Sequence, residues 1–143
     1  MKNRIILIAL TLMMGVMINS CKKTKVTPKT EEELQIEKLA LVWVPKAGTG
    51  AITIDGVDVS TDWANFVLTV TDKAYQTTGS FSTEVWPASG SWAFGADVNT
   101  LVRDGIDVSI AVTDTALRLE FDYTVGGRLE AIEGKWIFNM VPQ

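Results

Sequence analysis

The chain has no histidine and one cysteine among 143 residues. Without histidine, the usual general base and the commonest metal ligand at neutral pH are missing. A lone cysteine forms no internal disulfide, and Ser/His/Asp triads, Cys/His dyads and His/Cys zinc sites are excluded. The fold therefore rests on its apolar core, and enzyme chemistry would have to rest on carboxylates, lysine or tyrosine. Positive charge is scarce as well: 13 Lys and Arg stand against 17 Asp and Glu, a formal net charge of −4. A nucleic-acid binder carries the opposite sign, and that class is set aside.

What is present begins with Met1–Cys21. Lys2 and Arg4 make a short basic start, and Ile5–Ile18 is an almost unbroken apolar run. A spanning helix needs roughly 20 such residues, and this run is shorter, the length of a signal-peptide core. Ile18-Asn19-Ser20-Cys21 resembles a bacterial lipobox, with an aliphatic residue at −3, a small one at −1, and then the cysteine. The resemblance implies cleavage before Cys21, a diacylglycerol on its thiol, and a fatty acyl group, such as palmitate, on the new amine. The expected layout is a signal peptide over 1–20, a polar tether over 21–38 and a β-domain over 39–143. Within the tether, Thr30 followed by Glu33 has the form of a capping box, which predicts a helix of one or two turns. A solvated acidic linker is the alternative.

From Leu39 the pattern turns to strands. Leu39–Val44, Ala51–Ile54, Asn65–Thr71, Ala74–Thr78 and Ser91–Gly95 are short apolar or alternating runs separated by Gly, Pro, Asp and Thr. Ile106, Val108, Ile110 and Val112 alternate with polar or small residues, as do Leu117, Leu119, Phe121 and Tyr123, then Trp136, Phe138 and Met140. Period-two alternation gives each strand one buried and one wet face, which predicts an antiparallel, all-β domain. Three matches recur in order. Asp55–Ser60 returns as Asp104–Ser109, Val70–Ala74 as Val112–Ala116, and Gly90–Phe94 as Gly134–Phe138. Two half-units pairing edge to edge would cover each other's exposed strands, which favours closure.

Trp-Pro-x-Ser-Gly-x-Trp-x-Phe at Trp86–Phe94, Arg-Asp-Gly at Arg103–Gly105, Gly127-Arg128 and the final Gly-x-Trp-x-Phe resemble the lipocalin-like lipoproteins of Bacteroidota. The resemblance spans Leu39–Gln143. It implies an up-and-down antiparallel meander closing into a lipocalin-like β-barrel, with one end open to a small apolar ligand. A β-sandwich is the alternative. Trp43 follows Leu41-Val42, whereas lipocalins announce their first strand with Gly-x-Trp.

The candidate contact residues are Trp63, Trp86, Trp92, Trp136, Arg103 and Arg128. Aromatics on a concave face hold sugars and apolar ligands. Trp92 and Trp136 lie on the apolar faces of their strands and are read as core. Trp63 and Trp86 lie near loops and are expected to be exposed. Arg103 and Arg128 could pair with carboxylates or cover a tryptophan face, closing a barrel end, although ordinary surface arginine is the simpler reading. Asp55, Asp58 and Asp62 crowd one loop without the spacing of an EF-hand, and Glu130 with Glu133 is not singled out as an acid–base pair. No catalytic, metal or cofactor site is assigned.

The expected function is that of a non-enzymatic lipoprotein held at the membrane through Cys21, binding a small apolar ligand inside the barrel. The alternative is an accessory module with a packed barrel whose loops contact a protein or glycan. Lys22 stands where lipoproteins retained at the inner membrane resemble one another in carrying Asp, and Lys22, Lys23 and Lys25 replace the acidic residues of surface-displayed ones. These features imply the periplasmic face of the outer membrane.

Overall fold

The computed structural model describes residues 27–126 and 131–143. The expected signal peptide, Cys21 and its flanking lysines, Arg128 and Glu130 lie outside the described residues. Helix α1 (Glu31–Leu39) precedes ten strands: β1 (Val42–Pro45), β2 (Ile52–Ile54), β3 (Val57–Asp58), β4 (Val67–Thr71), β5 (Ala74–Thr78), β6 (Ser89–Phe94), β7 (Thr100–Arg103), β8 (Ile106–Val112), β9 (Leu117–Tyr123) and β10 (Gly134–Pro142). From β4 to β10 each strand pairs antiparallel with its sequence neighbour, and β1 joins β4 to β10. Eight strands thus close into an antiparallel barrel, consistent with a lipocalin-like one; β2 and β3 are two extra strands, and the sandwich alternative falls away.

The alternation seen in the sequence is realised. In β8, Val108 and Ile110 are buried while Asp107, Ser109 and Ala111 are exposed. In β9, Leu117, Leu119 and Phe121 point inward, and in β10 so do Trp136, Phe138 and Met140. β10 carries most of the closure, because its outer edge is shared by two strands: Trp136–Phe138 pair with β2, and Met140–Pro142 with β1. The chain leaves and rejoins this edge opposite one residue. Asn139 accepts from the Lys46 N–H, its own N–H donates to the Ala51 carbonyl, and its side-chain amide donates to the Gly50 carbonyl. The turn-rich Pro45–Gly50 break is therefore an excursion within one interrupted strand.

The recurring matches occupy equivalent places. Trp92 of β6 lies opposite Arg103 of β7, and Trp136 of β10 lies opposite Ile54 of β2. Each partner strand then turns through Asp-Gly, with φ of 48° and 80° at Asp55-Gly56 and 51° and 77° at Asp104-Gly105. This two-residue turn with positive φ at both positions matches the twist of a hairpin and suits Asp and Gly. The hydroxyls of Thr71 and Thr113 donate to the Ala74 and Ala116 carbonyls at the two other matched hairpins. The equivalence breaks between β3 and β4, where Val59–Phe66 interrupts what is a single strand, β8, in the second half.

Helix α1 closes one end of the barrel. Thr30 and Glu33 form the reciprocal capping box, with the Thr30 hydroxyl accepting from the Glu33 N–H and the Glu33 carboxylate accepting from the Thr30 N–H. Leu39 is buried, Ile36 packs against the core, and the Gln35 amide donates to the Val98 carbonyl in the β6–β7 loop. The short helix predicted within 21–38 is thus formed, and its C-terminal end packs against the barrel. Among the described residues, no helix is long and apolar enough to cross a membrane.

Candidate binding site in the barrel interior

The end opposite α1 is closed by two loops that fold inward. In Val59–Phe66, successive N–H groups of Asp62, Trp63 and Ala64 donate three residues back, to Val59, Ser60 and Thr61, and the Phe66 N–H donates to Trp63. These tight turns put Trp63 and Phe66 on one side, inside the barrel, both fully buried. In Gly79–Ala88, the Thr77 N–H donates to the Ala88 carbonyl and the Thr77 hydroxyl to that of Pro87. The Ser80 hydroxyl reaches the Ser82 and Trp86 carbonyls. With its backbone satisfied in this way, the loop delivers Val85 and Trp86 to the core.

The expectation of exposure at Trp63 and Trp86 is overturned: they are 0% and 3% exposed. A position in a loop does not make a side chain wet here, because both loops fold inward as plugs. Trp92 and Trp136 are core, at 5% and 2% exposed. Trp136 donates to the Ile132 carbonyl, and Trp92 to those of Thr71 and Ala74. Trp63, Phe66, Trp86, Phe121, Trp136 and Phe138 form one aromatic cluster, with Phe138 touching the other five at centroid distances of 5.1–5.9 Å.

Arg103 is the charged member of this interior. It is 3% exposed, so the reading of an ordinary surface arginine is also corrected. Its guanidinium carbon lies 3.9 Å from the Trp86 ring centroid and 5.0 Å from that of Phe121. One terminal nitrogen donates to the Val85 carbonyl at 2.7 Å, and the other is 3.4 Å from the Asp104 carboxylate. The Tyr75 hydroxyl donates to that same Asp104 oxygen at 2.7 Å. Burial lowers the pKa of Arg103, against the opposing pull of Tyr75 and Asp104. Burial, followed by the hydrogen bond to Asp104, raises the Tyr75 pKa to about 12. The cation–π contact expected of Arg103 or Arg128 is thus formed by Arg103; Arg128 lies outside the described residues. Tyr75, Asp104 and Val85 complete the cluster, and none of the three was singled out from the sequence.

Between the aromatic cluster and Leu39 of α1 remains a void of about 20 Å³, lined by Tyr75, Trp86, Trp92 and Arg103 together with aliphatic side chains. Asp55, Asp58 and Asp62 do not converge. The Asp55 carboxylate accepts from the Lys135 N–H and that of Asp58 from the Ser60 N–H. Among the described residues, no three acidic, Cys or His side chains are grouped so as to hold a metal ion. Comparison with known proteins finds no matching family, no matching curated protein and no matching solved structure.

Proposed function

We propose that this protein is a lipid-anchored, non-enzymatic component of the cell envelope whose barrel is a filled scaffold, and that it acts by contacting a protein or glycan through its loops. One observation carries this reading over that of a carrier of apolar ligands: the interior void is only about 20 Å³. Small-molecule pockets run to roughly 300–1,000 Å³. An eight-stranded barrel has room either for its own side chains or for one small ligand, and here two inward loops and α1 supply the filling. Anchoring through Cys21 to the periplasmic face of the outer membrane is part of the same proposal and rests on the lipobox-like Ile18–Cys21 and the lysines after it.

All five tryptophans are buried, so intrinsic fluorescence reports directly on the interior. Titration with fatty acids and other apolar ligands should give no saturable change; a saturable change would restore the carrier reading. Separately, Cys21→Ala should leave the protein uncut or release a cut domain from the membrane fraction, and a normally cut variant that still partitions to the membrane would refute the anchor. Protease treatment of intact cells should spare the domain until the outer membrane is permeabilised.

A further inference from the structure

Outside the barrel interior, an open groove of about 790 Å³ runs between α1 and the rim formed by β8, β9 and β10. Lys38, Lys46 and Arg118 line it, and no carboxylate does. Arg118 is paired with Glu120 at 2.7 Å, whereas among the described residues neither Lys38 nor Lys46 forms an ion pair. Beside these cations, the part-exposed Val112 and Val141 supply apolar surface. Apolar lining with a few charged groups of one sign suits an anionic amphiphile. Glu31–Glu33 and Glu37 stand on the same helix but outside the groove, so this end is no general basic surface and the attraction is local. Leu34, one turn before Lys38 on the same face of α1, is exposed there, and so is Leu41.

We propose that this groove receives the phosphate head of an anionic lipid in the bilayer that holds the protein. Lys38 and Lys46 neutralise the phosphate, and Val112 and Val141 meet the first methylenes of the acyl chains. Position favours this occupant. Thr27 is six residues from Cys21, so the chain between them reaches at most about 20 Å. Helix α1 follows directly, and its second half forms one wall of the groove, which therefore sits on the end of the barrel nearest the anchor. The turns and loops of the opposite end carry Asp55, Asp58, Asp62, Glu84 and Asp104, which an anionic surface repels. The chain's own leading segment is set aside as occupant, because Lys22, Lys23 and Lys25 would be repelled by the same cations. Proximity to the bilayer rests on the proposed anchor at Cys21; the groove adds an orientation to it.

The test uses residues 21–143 with Cys21→Ala, which keep every described residue and carry no acyl chain, so a negative result is distinct from a failure of the anchor. Amide NMR spectra titrated with dihexanoyl phosphatidylglycerol, below its micelle concentration, should show saturable shifts at Lys38, Lys46 and Val112. Dihexanoyl phosphatidylcholine, whose head has no net charge, should bind more weakly. Glycerol phosphate is the soluble source of the same head and should also bind more weakly, for want of acyl chains; equal affinity would place a free phosphate ester here and overturn the assignment to lipid. Lys38→Gln and Lys46→Gln, both at exposed positions, should each weaken phosphatidylglycerol binding about fivefold, as for one charge at an anionic surface. Ala111, exposed opposite Arg118, lines the groove, so Ala111→Trp fills it, leaves every charge in place and should abolish the shifts. Lys22→Gln, Lys23→Gln and Lys25→Gln together should leave the affinity unchanged. Shifts confined to residues 22–25, affinity unchanged in both groove lysine variants, or no shift with phosphatidylglycerol would each overturn the proposal.

Discussion

The β6–β7 and β10–β2 strand pairs share a frame and differ in one interior residue. In each, a Gly-x-Trp-x-Phe strand lies against a strand that ends in a residue followed by Asp-Gly; that residue is Arg103 opposite Trp92 in one and Ile54 opposite Trp136 in the other. Ile54 packs at the margin of the core as an aliphatic side chain should. Arg103 brings a charge to the equivalent place, and around it gather the Val85 carbonyl, the Trp86 face, and the Tyr75–Asp104 pair. A shared backbone frame thus fixes where a side chain enters, while the neighbouring loop decides what it can be: the inward turn of Gly79–Ala88 supplies Arg103 with an acceptor and a π-face.

The two units meet at Phe138, which lies beside Trp136 and touches Trp86, the ring under Arg103. Phe138→Ala should therefore have the largest effect, about 3–5 kcal/mol lost in chemical denaturation, as for other buried aromatics. A loss near 1 kcal/mol would mean that the units are stabilised independently. Next, Arg103→Ala and Ile54→Ala separate the two equivalent positions. The former removes a charged hydrogen bond and a desolvated cation–π contact and should cost about 2–4 kcal/mol. Truncating the half-buried Ile54 should cost about 1–2 kcal/mol. Equal losses would show that the polar cluster adds nothing to the shared frame.

Glycine substitutions sharpen the comparison further. Gly90 stands opposite Tyr75, and a Cβ there would lie 2.6 Å from the tyrosine hydroxyl oxygen. Gly134 stands opposite Tyr123, but its constraint is a φ of +143° and the Asp55 carboxylate that a Cβ would strike. Gly90→Val and Gly134→Val should each cost about 1–3 kcal/mol, the range of local strain or overpacking. Such a Cβ would also lie 2.7 Å from two ring carbons of Tyr75, so Tyr75→Ala makes room only for the first, and in that background the added cost at Gly90 should fall while the cost at Gly134 stays.

The smallest effect is one of pH. The folded-state pKa of Tyr75 is raised to about 12 from an ordinary 10.0. Its contribution to stability is fully present below pH 10.0 and is lost as pH rises from there through about 12. The denaturation midpoint should fall across that window, and Tyr75→Phe should flatten the fall. Among the described residues the β10–β2 unit has no counterpart of Arg103 in this group, and Ile54 carries no titratable atom, so Ile54→Ala should leave the pH slope untouched.

The sequence carries this fold most plainly where local and tertiary demands agree. In β8, β9 and β10, alternation decides which side chains face inward, and the structure follows it. The capping box at Thr30–Glu33 was legible too, because it is purely local. What could not be read was the inward path of two loops. Nothing in Gly79–Ala88 alternates, and its burial depends on the Thr77 hydroxyl and N–H from a neighbouring strand. The short β3 and β7 were likewise missed, since two and four residues set no period. One signal for Arg103 did lie in the sequence: the repeat puts arginine before Asp-Gly in one unit and isoleucine before Asp-Gly in the other. A charge standing at an aliphatic position marks a buried cation that needs partners.

Closure of the ring by β1 and β10 has a kinetic consequence. Trp43 pairs with Pro142, and β10 also supplies the edges on which β2 and β9 rest. A chain still lacking β10 leaves β1, β2 and β9 each with one edge unpaired and the aromatic cluster without Trp136 and Phe138. Contacts so distant in sequence form late, because the loop entropy of the whole intervening chain must be overcome first. The barrel can thus close only once its last strand is available.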